Sequence, residues 1–164
     1  MAMKRIDPGP GQESVWDYPR PPRLELTTKL VRVEFGGVVI AETSRAYRVL
    51  ETSHPPTYYL PREDVRVEYL RGSTRSSFCE WKGRAGYVSL DVGGKTSIDA
   101  AWTYSSPTPR FAAIRDHLAF YPGRVDGCWV DGVPVLIQPG DFYGGWITPE
   151  IVGPFKGGPG SSGW

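Results

Sequence analysis

A chain of 164 residues, 40% apolar and 23% charged, is long enough to bury one core without disulfides or metal. Its 19 Lys and Arg against 18 Asp and Glu leave a formal charge of +1, which excludes the strong positive field of a general nucleic-acid binder, and no nucleic-acid partner is expected. No stretch is apolar and long enough to span a bilayer, and the first residues run from Lys4-Arg5 into Pro8-Gly9-Pro10 without an apolar run, so the expectations are no membrane association and a cytoplasmic location.

Twenty glycines and sixteen prolines favour turns over long helices and point to a mainly β fold. Residues 1–22 carry five prolines with Val15 and Trp16 as the sizeable apolar anchors, and read as an extended arm. A β domain is expected over 23–137. Its first strand is Val31-Arg32-Val33-Glu34-Phe35, turned by Gly36-Gly37 into Val38-Val39-Ile40-Ala41. The alternating run Ala46 to Glu51 ends at Thr52-Ser53-His54-Pro55-Pro56, where proline forbids helix and forces an extended corner. Thr57 to Pro61 is a further β element, Arg62-Glu63-Asp64 an acidic turn, and the alternation of Val65 to Leu70 predicts another strand.

The polar stretch Arg71 to Ser77 reads as a loop. Tyr87 to Val92 is a strand, Gly93-Gly94 a hairpin turn, and the return strand places Ile98, Ala100, Trp102 and Tyr104 on one face. Pro107 to Leu118 is the helix candidate, with Phe111, Ile114 and Leu118 forming one stripe. Ala119-Phe120-Tyr121 is a short strand. Gly127 to Val130 and Val133 to Ile137 form a hairpin on Asp131-Gly132, with Pro134 marking an edge. From 138 to 164 the chain is a Gly- and Pro-rich tail with Phe142, Tyr143, Trp146, Phe155 and Trp164, too aromatic to be left in water, so the domain itself or a second subunit must cover it.

Among candidate site residues Glu51 is the most informative, because strict alternation puts its carboxylate on the face of Tyr47 and Val49, where a carboxylate can serve as general acid or base. The bland alternative is a strand that ends at Leu50 and leaves Glu51 in a corner or an ion pair. Lys82, beside Trp81 and Gly83, lacks the glycine run of a phosphate loop, yet it can reach a pocket and hold Glu51 or an anionic ligand. Cys79, Cys128, His54 and His117 offer no close ligand pair, so no metal site is expected, and the two cysteines read as reduced thiols. Cys79 as a nucleophile would need Lys82 or His54 beside it. Tyr58, Tyr59, Trp81, Tyr87, Trp102, Tyr104, Phe120 and Tyr121 are too many, and too evenly split between faces, to fill a single core, so some of them should line a groove.

The run Val33 to Thr43, the run Val49-Leu50-Glu51-Thr52-Ser53-His54-Pro55-Pro56 to Val65, and the motifs Cys79-Glu80-Trp81-Lys82-Gly83, Ala101-Trp102-Thr103-Tyr104 and Ala119-Phe120-Tyr121 resemble the bacterial family called domain of unknown function 427. The resemblance covers about residues 31–135 and implies a mainly β fold of strongly bent antiparallel sheets, similar to the β-tent or Mss4-like proteins. Many proteins of that architecture hold zinc through two Cys-x-x-Cys pairs, which are absent here. The nucleotidyltransferase-like label of some members would need a Gly-Ser followed by an Asp-x-Asp metal pair, also absent.

Two functions of different class are therefore expected. One is a small-molecule-binding protein or enzyme whose pocket is framed by Glu51 and Lys82 as catalytic groups and Tyr59, Trp102, Tyr104, Asp64 and Cys79 as binding groups. The other is an interaction module whose aromatic tails join a partner or make a homodimer. The sequence names no cofactor.

Overall fold

The computed structural model describes residues 4–140, 142–158 and 160–164. It is mainly β, built from several antiparallel sheets, with no closed barrel among the described residues. The strands run β1 (Glu13–Ser14), β2 (Arg23–Leu26), β3 (Val31–Phe35), β4 (Val38–Thr43), β5 (Tyr47–Leu50), β6 (Thr57–Tyr59), β7 (Leu70–Cys79) and β8 (Gly83–Val92). They continue as β9 (Lys95–Thr103), β10 (Ala119–Phe120), β11 (Gly127–Val130), β12 (Val133–Pro134), β13 (Leu136–Ile137), β14 (Trp146–Ile147) and β15 (Ile151–Val152).

Two four-stranded sheets, in the orders β10-β9-β8-β7 and β12-β11-β3-β4, face each other across the main core of Val31, Val33, Ile40, Leu60, Leu90, Phe120 and Val130. The sheet β2-β5-β6 closes one side, and its Tyr59 and Val49 join a second cluster with Trp102, Tyr104, Phe111 and Ile114. Gly36 and Gly37 both take positive φ, 62° and 78°, the mirror-image turn that matches strand twist, and they pair Phe35 with Val38 as the sequence leads one to expect.

Three local expectations need correction. Residues 71–77 are not a loop but the middle of β7, paired with β8 across a register shift between Gly72 and Ser76. As the edge of its sheet this strand meets water on most sides, so it needs no apolar alternation, and Arg71 and Arg75 are the charges that keep such an edge from pairing with another chain. The predicted strand 65–70 is instead a 3-10 turn, Val67–Tyr69, because the Arg66 N–H bonds back to the Ile40 carbonyl at 2.7 Å and the chain then turns into β7. Ile98 is turned out to solvent, since Asp99 adopts φ 52° in a bulge that resets the strand's parity. The short helix near 107–118 is present as 3-10 helix over Pro109–Ile114, kinked at Phe111 where the backbone leaves helical geometry (φ −109°, ψ 19°), with Phe111, Ile114 and Leu118 fully buried.

The tail returns to the domain. β14 pairs with β13, β15 runs parallel to β1, and Val15 of the arm packs with Leu50 and Ile151. Cys79 and Cys128 are free thiols, Cys128 in the core. Burial pushes the Cys128 thiol well above its ordinary 9.0, and burial pushes Tyr58 up to about 12. A group whose folded pKa exceeds its unfolded one contributes stability that is complete below the unfolded pKa and lost as pH rises past it. The unfolding free energy from urea melts is therefore expected to hold steady from pH 7 to 8.5 and to fall above about pH 9, each such group adding a slope of up to about 1.4 kcal/mol per pH unit. Cys128→Ala should remove the part of the loss that starts near pH 9; an unchanged profile would show that the thiol is not its source.

Candidate functional site

The corner between β5 and β6 is made by proline and by one left-handed residue. Pro55 and Pro56 forbid helix, and the buried Ser53 takes φ 70°. Arm and tail then clamp it. The Ser53 N–H donates to the Val15 carbonyl at 3.0 Å, Arg20 Nη2 donates to the Thr52 carbonyl at 3.0 Å, and the Lys156 N–H donates to the Ser53 carbonyl at 2.8 Å. Strand β5 ends at Leu50, so Glu51 sits in this corner, its side chain 21% exposed, with Oε2 3.4 Å from Arg20 Nε and 3.8 Å from His54 Nδ1. The bland alternative for its local conformation is the one realised, an ion-paired carboxylate at a strand end.

Lys82 lies on the opposite side of the same space, in the turn between β7 and β8. That turn is tied down by Thr108, whose hydroxyl donates to the Trp81 carbonyl at 2.6 Å and whose N–H donates to the Lys82 carbonyl at 3.0 Å. The side chain thus runs inward, 9% exposed, and Nζ lies 6.0 Å from the ring centroids of both Tyr104 and Phe111. Desolvation works to lower its pKa, the interactions with Tyr59, Cys79 and Glu51 work to raise it, and the group ends above its ordinary value, so Lys82 is a cation at neutral pH, where protonated Tyr59 offers it a hydroxyl rather than a charge. Among the described residues it forms no ion pair with a carboxylate, Glu51 being engaged by Arg20.

Between the two turns lies a cavity of about 530 Å³. Its walls are Tyr59, Trp81, Tyr87, Trp102, Tyr104 and Tyr121, with Cys79 beside Lys82. Trp102 Nε1 donates to the Tyr59 hydroxyl at 3.0 Å, and the Trp102 and Tyr121 rings stand 4.7 Å apart. Burial raises the pKa of Tyr59 and of Tyr104, so both hydroxyls keep their protons. His54 is pushed the other way: burial lowers its pKa, with Glu51 opposing, which leaves a neutral imidazole at pH 7. The wall opposite the sheet comes from the tail, through Phe142, Tyr143, Gly144, Lys156 and Trp164.

A family model described as a domain of unknown function (DUF427) matches residues 23–131, about two-thirds of the chain. The chain belongs to this family. No curated protein is recognisably similar in sequence. The DUF427 match contains Glu51, Tyr59, Cys79, Lys82, Trp102 and Tyr104, all of which face the cavity, whereas Arg20, Gln138 and the tail wall lie outside it.

Of the seven residues expected to frame the pocket, Asp64 is kept apart, and of the wider set singled out from sequence Tyr58, Phe120 and Cys128 belong to the main core instead. Asp64 accepts from Thr43 Oγ1 at 2.7 Å and Arg45 Nε at 2.9 Å at the end of β4, and these bonds, Arg45 first, hold its carboxyl below the usual range. Arg20, Lys156, Gln138 and Tyr143 were not anticipated, because each comes from a segment with no periodic signal; the density of tail aromatics was the one pointer to that wall. His54, a candidate metal ligand or base for Cys79 on sequence grounds, lines the cavity beside Glu51. Among the described residues no group of three or more His, Cys, Asp or Glu gathers as a metal site.

Gly144 shows how closely the tail wall fits. A Cβ there would meet Trp102 Cη2 at 2.5 Å and Cζ3 at 2.6 Å. Gly144→Ala is expected to cost about 1–3 kcal/mol in a urea melt, as overpacking does, and to lift the wall from Trp102. A loss below 0.5 kcal/mol, roughly the size of a neutral surface change, would mean that the wall does not rest on the indole.

Proposed function

We propose that this protein binds a small planar organic acid in the cavity between Glu51 and Lys82. The observation that carries the reading is Lys82, a buried ammonium with no carboxylate partner among the described residues, set in an aromatic cavity of ligand size. A charge taken out of water is stabilised by a partner of opposite sign, and here the space beside it is open to a ligand. The rings of Trp81, Trp102 and Tyr121 suit a flat body, and Arg20 and Lys156 add positive charge to the lining. The alternative of a tail-mediated interaction module has less support, since Trp146 is spent in the core and Trp164 packs edge-on against Trp16 at 5.1 Å.

A thermal-shift series of aromatic carboxylic acids against their neutral amides tests the proposal. A ligand present at a hundredfold its Kd adds about 2.7 kcal/mol to the native state, a readable rise in Tm. Acids are expected to stabilise and amides not. Equal effects from both, or none from any acid, would rule the reading out.

A further inference from the structure

We infer, resting on that binding reading, that the cavity is built for proton transfer at a carbon next to a carbonyl group, with an aromatic 2-keto acid as the substrate class. The base is His54. Its Nδ1 lies 2.9 Å from the Thr52 carbonyl oxygen, which can only accept, so Nδ1 carries the hydrogen and Nε2 keeps its lone pair. The ring lines the cavity, edge-on to Tyr143 with centroids 5.2 Å apart. Glu51 Oε2, 3.8 Å from Nδ1, is placed to favour the imidazolium that forms when Nε2 takes a proton. Glu51 is then a positioning residue.

The acceptor side follows from the same hydrogen-bond logic. An indole N–H can only donate, so the Tyr59 oxygen accepts from Trp102 and the Tyr59 O–H is left to donate elsewhere. Tyr104 stands beside it, ring centroids 6.3 Å apart, and Lys82 brings an ammonium to the same group of side chains. One acceptor in the corner and three donors around Lys82 therefore share a single space. A 2-keto acid offers two oxygen-bearing carbons side by side, for Lys82 and Tyr59, and an aromatic ring for Trp81, Trp102 and Tyr121.

The step balances without a cofactor. The C3–H bond breaks, its proton goes to His54 Nε2, its electron pair forms the C2–C3 double bond, and the carbonyl pair moves onto oxygen. Lys82 and Tyr59 hold that oxyanion. Return of the proton from His54 to C3 restores the ketone, so in heavy water the turnover reads out as deuterium at C3.

The test is phenylpyruvate in D2O with the full chain, C3–H loss followed by proton NMR and binding followed by thermal shift. Wild type is expected to exchange the C3 hydrogens about 100-fold faster than buffer or more, the scale of general-base catalysis. His54→Asn keeps a donor for the Thr52 carbonyl and loses Nε2, so it should bind phenylpyruvate and lose that acceleration; Glu51→Gln should bind and exchange about tenfold more slowly. Tyr59→Phe, which retains the ring, is the second active-site probe, with a loss of about 10- to 100-fold. If phenylpyruvate binds and exchanges no faster than in buffer, or if His54→Asn exchanges like wild type, proton transfer by His54 is overturned while the binding proposal stands. If no aromatic acid binds at all, the binding reading fails and this inference with it.

Discussion

Trp146→Ala is expected to lower the unfolding free energy by about 3–5 kcal/mol, the usual cost of emptying a buried aromatic site. The ring is fully buried, stacked on Tyr58 with centroids 4.8 Å apart, and packed in the main core with Leu60 and Phe120. Its Nε1 donates to the Phe120 carbonyl at 3.0 Å, and truncation would leave that acceptor unpaired in the interior. Trp146→Phe keeps the stacking and loses the donor, so it should cost less, about 1–3 kcal/mol. Trp164→Ala, at the partly exposed contact with Trp16, should stay below about 1 kcal/mol. Urea melts of the three rank the tail's contribution. A loss below 1 kcal/mol for Trp146→Ala, small on the scale of such truncations, would mean that residues 138–164 are an accessory to the fold. The expected ranking says instead that removing them would expose Tyr58 and break the pairings of β14 with β13 and β15 with β1.

What was legible in the sequence is what local rules control. Gly36-Gly37, Gly93-Gly94 and Asp131-Gly132 all take the positive φ that a tight hairpin demands, so three turns could be read from residue type. Parity along one strand put Trp102 and Tyr104 on the cavity face, and the motif Cys79 to Gly83 placed Lys82 in a turn beside them. Parity failed where the chain departs from it, at Ile98 beside the Asp99 bulge and at Glu51, where β5 stops one residue short. Edge strand β7 was illegible because solvent on its faces removes the apolar signal. Arg20, Lys156 and Tyr143 reach the cavity from the arm and tail, where Lys156 is placed by its backbone N–H on the Ser53 carbonyl and Arg20 by its guanidinium on the Thr52 carbonyl, contacts that leave no periodic pattern in the sequence. The tautomer of His54 needed the Thr52 carbonyl in place before it could be assigned.

Lys82→Met is expected to leave the fold nearly intact and to weaken aromatic acids by roughly 10- to 150-fold, the range that charge-assisted hydrogen bonds of about 1.5–3 kcal/mol imply. Met keeps the unbranched stem that packs toward Tyr104 and Phe111 and gives up the ammonium. Backbone anchoring by Thr108 is untouched, because it uses the carbonyls of Trp81 and Lys82. Neutral amides, which gain little from the cation, should show no appreciable binding to either wild type or variant. Titration calorimetry at two salt concentrations adds a discriminating arm: a pair formed with the buried Lys82 is screened far less than one formed with the more exposed Arg20 or Lys156. If acid affinity in wild type collapses with salt while Lys82→Met changes it less than threefold, under about 0.7 kcal/mol, the anion is held by Arg20 or Lys156, and the buried cation would need another role. If the loss follows Lys82 and resists salt, the aromatic walls and the ammonium act on the same molecule, which is the arrangement that an oxyanion at the cavity floor requires.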